Sequence, residues 1–263
     1  MKKNTPSAAQ RNRSEQVTQR LTDLSSSIAY LEKTGCLVRV KSAVSSKYEL
    51  AGIAKRFEGK KCVLFERIKG SKYPVFIGML WDRDIVGKLF GISKEKIPFV
   101  IAKAIGDWHK NKAKPSSRIL MKGPANEVVE EDINLFKLPI PVHALKDGGR
   151  YFDSSVVVVN NPETGVANTS IHRMMVAQKD RLTFLIDPDR HLGEYLEQAE
   201  KRNKPLQVTI NNGVGIVPWL VSTLPRQGDG KYEIANHILG KTIDLISVRT
   251  GIQNSLILLI NIA

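Results

Sequence analysis

The residues best suited to chemistry lie between Asp147 and Arg190. There the sequence places Asn168, Thr169, Ser170, His172 and Arg173 on what reads as one strand. Small amide and hydroxyl groups beside an arginine are what a phosphate or carboxylate site needs, because a guanidinium grips either anion with two parallel hydrogen bonds. Taken alone, the same residues suit the polar face of an edge strand, and spacing by itself favours that plainer reading. The histidines are His109, His143, His172, His191 and His237, and none forms a metal pair at helical spacing. The sequence contains no P-loop, GxGxxG, HExxH, GxSxG or paired CxxC motif.

The elements that must position these groups follow from periodicity. Val17, Leu21, Leu24, Ile28 and Leu31 recur at steps of three and four, which predicts a helix from about Ser14 with Gly35 as its stop. LVRVKS alternates as a strand does, and YELAGIAKRFEG reads as a short helix ended by Gly59. KCVLFERIKG and YPVFIGML read as strands around a Lys69-Gly70-Ser71 turn, and helices are expected near residues 84–90 and 98–110. Beyond the polar stretch HKNKAKPSSR, a natural linker, the pattern turns β-rich. FDSSVVVVNNPETG, ANTSIHRMMVAQ and RLTFLID read as an antiparallel meander. HLGEYLEQAEKRN is an amphipathic helix, and LQVTINNG, VGIVPWLVS and DLISVRTG are read as further strands. The run NSLILLINIA is expected to be a buried strand or a severed one, since an exposed apolar edge invites aggregation.

Composition bounds the function. Apolar residues make up 42% of 263, enough for a sizeable core. A net charge of +14 favours anionic partners, and Lys and Arg crowd the first half. With no RNA-binding aromatic platform, zinc-finger spacing or basic-zipper heptads, nucleic acid ranks last among them. Cys36 and Cys62 show no pairing motif and are expected as small core residues in a reducing, cytoplasmic setting. No apolar run reaches the roughly 18 residues of a membrane span. Residues 1–20 read as a basic, disordered tail.

Several linked segments carry a resemblance. LPIPVHALKDGGRYF, NPETGVANTSIHRM, DRHLGEYLEQA and STLP…KYEIANHILG, in that order and spacing, resemble the UbiD-like decarboxylases, and the earlier YELAGIAKRFEGKKCVLFERIKGSKYPVFIGML is similar to that family's N-terminal domain. The resemblance implies an α/β N-terminal domain over residues 21–108, a linker over 109–118, and a split β-barrel flavin-binding domain over 119–263, with the family's C-terminal domain missing. It implies a carboxy-lyase that acts on aromatic or α,β-unsaturated carboxylates through prenylated FMN, with Mn2+ or Mg2+ and K+, and with a flavin prenyltransferase as the cofactor's source. Asn168, His191 and Glu233 match the family's metal ligands. An amide oxygen, an imidazole and a carboxylate can together hold such a divalent ion. Ser170 and Ile171 match the flavin-lining loop, Arg190 stands where a phosphate contact is expected, and Arg173 matches the arginine that holds the substrate carboxylate.

The match breaks near the C-terminus. The family's acidic stretch, of the form VPAxxEIVxEG, is met here by SVRTGIQNSLILLINIA, and no Asp or Glu follows Asp244. The expected consequences are a missing proton donor and an Arg173 stripped of acidic neighbours. On that reading the chain is a truncated product, one half of a split enzyme completed by a second subunit, or a non-catalytic flavin-binding relative.

Overall fold

The computed structural model describes residues 8–110, 117–225, 230–247 and 257–260. In chain order the elements are α1 (Ala8–Thr22), α2 (Leu24–Lys33), β1 (Leu37–Val40), α3 (Glu49–Lys55), β2 (Cys62–Phe65), β3 (Val75–Ile77), α4 (Arg83–Phe90), α5 (Ile97–Lys110), β4 (Arg118–Leu120), β5 (Tyr151–Phe152), β6 (Val156–Asn160), β7 (Ala167–Ile171), β8 (Met174–Gln178) and β9 (Arg181–Phe184). They continue with α6 (His191–Lys201), β10 (Val208–Asn212), α7 (Ile216–Thr223), α8 (Lys231–Leu239), β11 (Asp244–Ile246) and β12 (Ile257–Ile260).

The first half is the expected α/β unit. β1 runs parallel to β2, and β2 antiparallel to β3, with Val63, Leu64 and Phe65 facing Ile77, Phe76 and Val75. The expected helix from Ser14 begins at Ala8 and is broken into two at Asp23. Asp23 is extended and its carboxylate accepts from the Ser26 N–H at 2.7 Å, which is an N-cap and starts α2. The tail expected over residues 1–20 is therefore helical from Ala8 onward, and Leu21 packs into the core. Cys36 and Cys62 are free and buried, as expected, and burial pushes the Cys62 thiol up to about 12.

The second half rests on two main sheets. One has the order β12-β10-β6-β7 and the other β5-β8-β9, while β4 and β11 form a separate parallel pair. No closed barrel forms among the described residues. The expected meander is interrupted: β6 pairs with β7 and β8 with β9, but β7 and β8 belong to different sheets. Met174, fully buried against Val157, Ile210 and Phe152, anchors the crossing in the core between the sheets.

VGIVPWLVS is a correction, because it forms helix α7 rather than a strand. Its Pro218 lies in the first turn, where a missing N–H costs nothing, and Ile216, Val217 and Val221 share the buried face. The stretch expected as a linker is structured at both ends. His109 and Lys110 close α5, and Arg118 opens β4 with a bidentate pair to Asp244 at 2.8 and 2.7 Å. Residues 111–116 fall outside the described residues, as do 248–256, where the family's acidic stretch would lie. Residues 257–260 of the apolar C-terminal run form β12, parallel to β10.

The largest core ignores the expected boundary. Leu31, Cys36, Cys62 and Leu89 from the first half pack with Ile216, Val217, Val221, Ile234 and Ala235 from the second. The two halves thus share one core.

Candidate cofactor site

The site is built around β7. Its hairpin with β6 is set by Asn161, whose side-chain oxygen accepts from the N–H groups of Glu163 at 2.7 Å and Thr164 at 3.0 Å. Among the described strands β7 is the outer one of its sheet, so it packs against α7 instead of a further strand, and its Thr169 carbonyl is met by a side chain of α8. Asn168 is 3% exposed, and its Oδ1 is buried without a hydrogen-bond partner. Thr169 Oγ1 is in the same condition. Buried acceptors are normally satisfied, and each left open costs about 1–3 kcal/mol. Because successive side chains of a strand point to opposite faces, the two open atoms mark two positions, one on each face of β7.

Lys231, which the sequence reading passed over, closes the other side. It is 6% exposed, and its Nζ donates to Thr169 O at 2.5 Å and Ser222 O at 3.3 Å. Burial lowers its pKa to about 8. A signal was present: Lys231 is the first residue of α8, where the helix dipole disfavours a cation. Glu233 follows two positions later in the same turn, half-buried, where the dipole favours a carboxylate.

The remaining expected residues fall on neighbouring elements. Ser170 Oγ lies 2.9 Å from His172 Nε2, and Ile171 ends β7 opposite Val156. The strand stops there, so His172 and Arg173 lie at the crossing between the sheets and not on the strand with Asn168. Burial holds His172 below the usual imidazole range, and the Lys231 charge adds to this. His191 opens α6, half-buried and stacked on Tyr195 with ring centroids 6.0 Å apart. The helix start is held close to the preceding loop by Gly193, where a Cβ would lie 2.4 Å from Asp187 O. Arg190 is exposed at the N-cap and reaches Asp187 at 3.4 Å.

Arg173 has the acidic neighbours that the sequence reading denied it. Its Nε donates to Asp153 Oδ1 at 2.7 Å and its Nη2 to Asp147 Oδ1 at 3.0 Å. Its guanidinium lies 3.9 Å from the centre of the Tyr151 ring. Asp153 Oδ2 is 3.2 Å from His143 Nδ1. Asp147 also accepts the His143 and Ala144 N–H groups, and with Arg173 these hold its carboxyl below the usual range. Both aspartates come from the KDGGRYFD loop, whose irregular run carries no periodic signal. His143, Tyr151 and Asp153 line a cavity of about 410 Å³ whose walls include Phe76, Trp81 and Trp219.

Two family descriptions match this chain. The 3-octaprenyl-4-hydroxybenzoate carboxy-lyase N-terminal domain covers residues 28–105, and the Rift-related domain of the same carboxy-lyase covers 118–257, more than half the chain. The chain belongs to the UbiD family. A protein in the cooM 5' region of Rhodospirillum rubrum is 42% identical over 88% of this chain and 50% of its own length. The anhydromevalonate phosphate decarboxylase of Methanosarcina mazei is 32% identical over 86% of this chain and 50% of its own. The UbiD-class enzyme HmfF of Pelotomaculum thermopropionicum, solved in complex with FMN, superposes with a TM-score of 0.79 at 33% identity over 87% of this chain and 51% of that one. An evolved dimeric form of HmfF, solved with prFMN, matches equally well at 0.79. The chain thus spans about half the length of the curated relatives it matches.

Asn168 fits a metal-ligand role, since its buried Oδ1 has no protein partner. Lys231, the first residue of α8, reaches the middle of β7 through its ammonium, and Glu233 lies in the same helical turn. Among the described residues no group of three His, Cys, Asp or Glu converges, and the expected trio includes only two residues of those types. No described helix is long and apolar enough to cross a membrane.

Proposed function

We propose that this chain is the cofactor-holding part of a UbiD-type carboxy-lyase acting on aromatic or α,β-unsaturated carboxylic acids through prenylated FMN. The unpartnered, buried Asn168 Oδ1 carries this reading, because an amide oxygen left open in a core calls for a ligand. Asn168, His191 and Glu233 would hold Mn2+ or Mg2+, Ser170 and Ile171 would line the flavin, and Arg190 would meet its phosphate. The packed sheets would serve as the split barrel. When bound, the flavin supplies an electron sink for loss of the carboxylate. Arg173 orients that carboxylate, and Asp147 and Asp153 hold the guanidinium in place. Tyr151 and the apolar cavity wall exclude water beside it.

A second reading is a flavin-holding chain that turns over only with a partner polypeptide. Residues 245–263, which stand where the family's acidic stretch is expected, contain no Asp or Glu, and this favours it. Expression in cells that make prenylated FMN, with flavin and metal measured per chain, tests both. Loaded protein that releases CO2 from an unsaturated acid supports the first reading, and loaded but inactive protein supports the second. Protein free of flavin and metal overturns both.

A further inference from the structure

We propose that Lys231 is a tethered monovalent cation, its ammonium taking the seat that K+ would otherwise fill beside the cofactor phosphate. The proposal rests on the cofactor-site reading above and goes beyond it, because it makes K+ dispensable in this chain.

The seat has the chemistry of an alkali-ion site. The Lys231 nitrogen is gripped by two main-chain carbonyl oxygens from different elements, Thr169 O and Ser222 O. Rings of carbonyl oxygens are how proteins replace the hydration shell of K+. Both oxygens are left over by the fold. Thr169 lies on an outer strand, and Ser222 lies in the last turn of α7, where carbonyls lack helical partners and the dipole end is negative. Among the described residues no carboxylate lies within 4.0 Å of Lys231 Nζ, so the charge is not consumed in an ion pair. A buried cation without a carboxylate is costly and is kept where an anion or a polar ligand is to be met. On the strand that supplies the Thr169 carbonyl, Asn168 Oδ1 and Thr169 Oγ1 are both buried without partners. A lysine placed against the helix dipole at the first residue of α8 breaks a local rule at the position where a functional reason is expected.

The test compares cations. Binding of FMN in the presence of Mn2+ is measured for the native protein in K+, Na+ and choline buffers, and for Lys231→Ala and Lys231→Met. The native protein is expected to bind equally in all three. Lys231→Ala, which vacates the seat, is expected to bind roughly tenfold or more weakly in choline and to recover in K+ or ammonium. Lys231→Met, which fills the seat without charge, is expected to lose binding without recovery. A native protein that needs K+, or an Ala variant indifferent to cation, overturns the proposal. A lysine that merely satisfies two carbonyls would lose stability on substitution without any cation-specific return. If the native protein binds no FMN, the cofactor reading fails, and melting of unloaded Lys231→Ala still decides the seat: a rise in K+ over choline supports it, and no rise overturns it. If the Ala variant does not fold, the cation dependence of the native protein decides.

Discussion

Replacing Asn168 by Leu separates a ligand role from a structural one. The side chains are close in size, and the site is 3% exposed, so the change is felt in full. Removing a buried acceptor that has no partner returns about 1–3 kcal/mol, while an imperfectly matched shape of similar volume costs up to about 1.5 kcal/mol. The unloaded protein is therefore expected to be unchanged or up to about 2 kcal/mol more stable. At roughly 2–4 °C per kcal/mol for a chain of this size, the rise is at most about 8 °C. An ordinary core substitution runs the other way, by about 1 kcal/mol. At the same time Mn2+ binding should fall by about 100-fold, because one of the three proposed protein ligands is gone. Thermal melts of metal-free protein and equilibrium dialysis with Mn2+ read the two effects. A variant destabilised by more than ~1 kcal/mol that binds Mn2+ as before would refute the reasoning.

Three further outcomes are expected. Gly193→Ala should cost about 1–3 kcal/mol and weaken Mn2+ binding, since the new methyl would meet Asp187 O and push the start of α6, with His191, off its loop; an unshifted melt would contradict it. His172 has a depressed native pKa, so the unfolded state takes up its proton first as pH falls; stability is full above the unfolded value near 6.5 and is lost below it, toward the lower native value. Urea midpoints between about pH 7.5 and 5 should thus fall less steeply in His172→Gln than in the native protein. Ile234→Ala, deep in the shared core, should cost roughly 2–5 kcal/mol, and urea unfolding by circular dichroism should stay a single transition; separate transitions for the two halves would deny the common core.

Much of the fold was legible because its signals are local. Strand alternation and helical spacing placed β1, β2, β3, α4, α5 and α6. VGIVPWLVS misled because a β-branched run fits a buried strand and a buried helix face equally, and Pro218 in a first helical turn leaves no break to read. The crossing at His172-Arg173 was hidden because each strand of the supposed meander does have an antiparallel neighbour; only the packing of Met174 between sheets separates β7 from β8. Asn168, Glu233 and Arg173 were singled out through linked motifs and not through spacing. Lys231, Asp147 and Asp153 were missed because burial and pairing across 62, 26 and 20 residues leave no trace in a linear pattern.

Trp108, near the end of α5, lies so close to Gly230 that a Cβ there would overlap the indole at 2.0 Å. Gly230 immediately precedes Lys231 and stands three residues before Glu233. The first half of the chain therefore carries a native optical reporter against the turn that would hold the cofactor. Its emission offers a label-free readout of loading, and a Trp108→Phe variant separates that signal from those of Trp81 and Trp219.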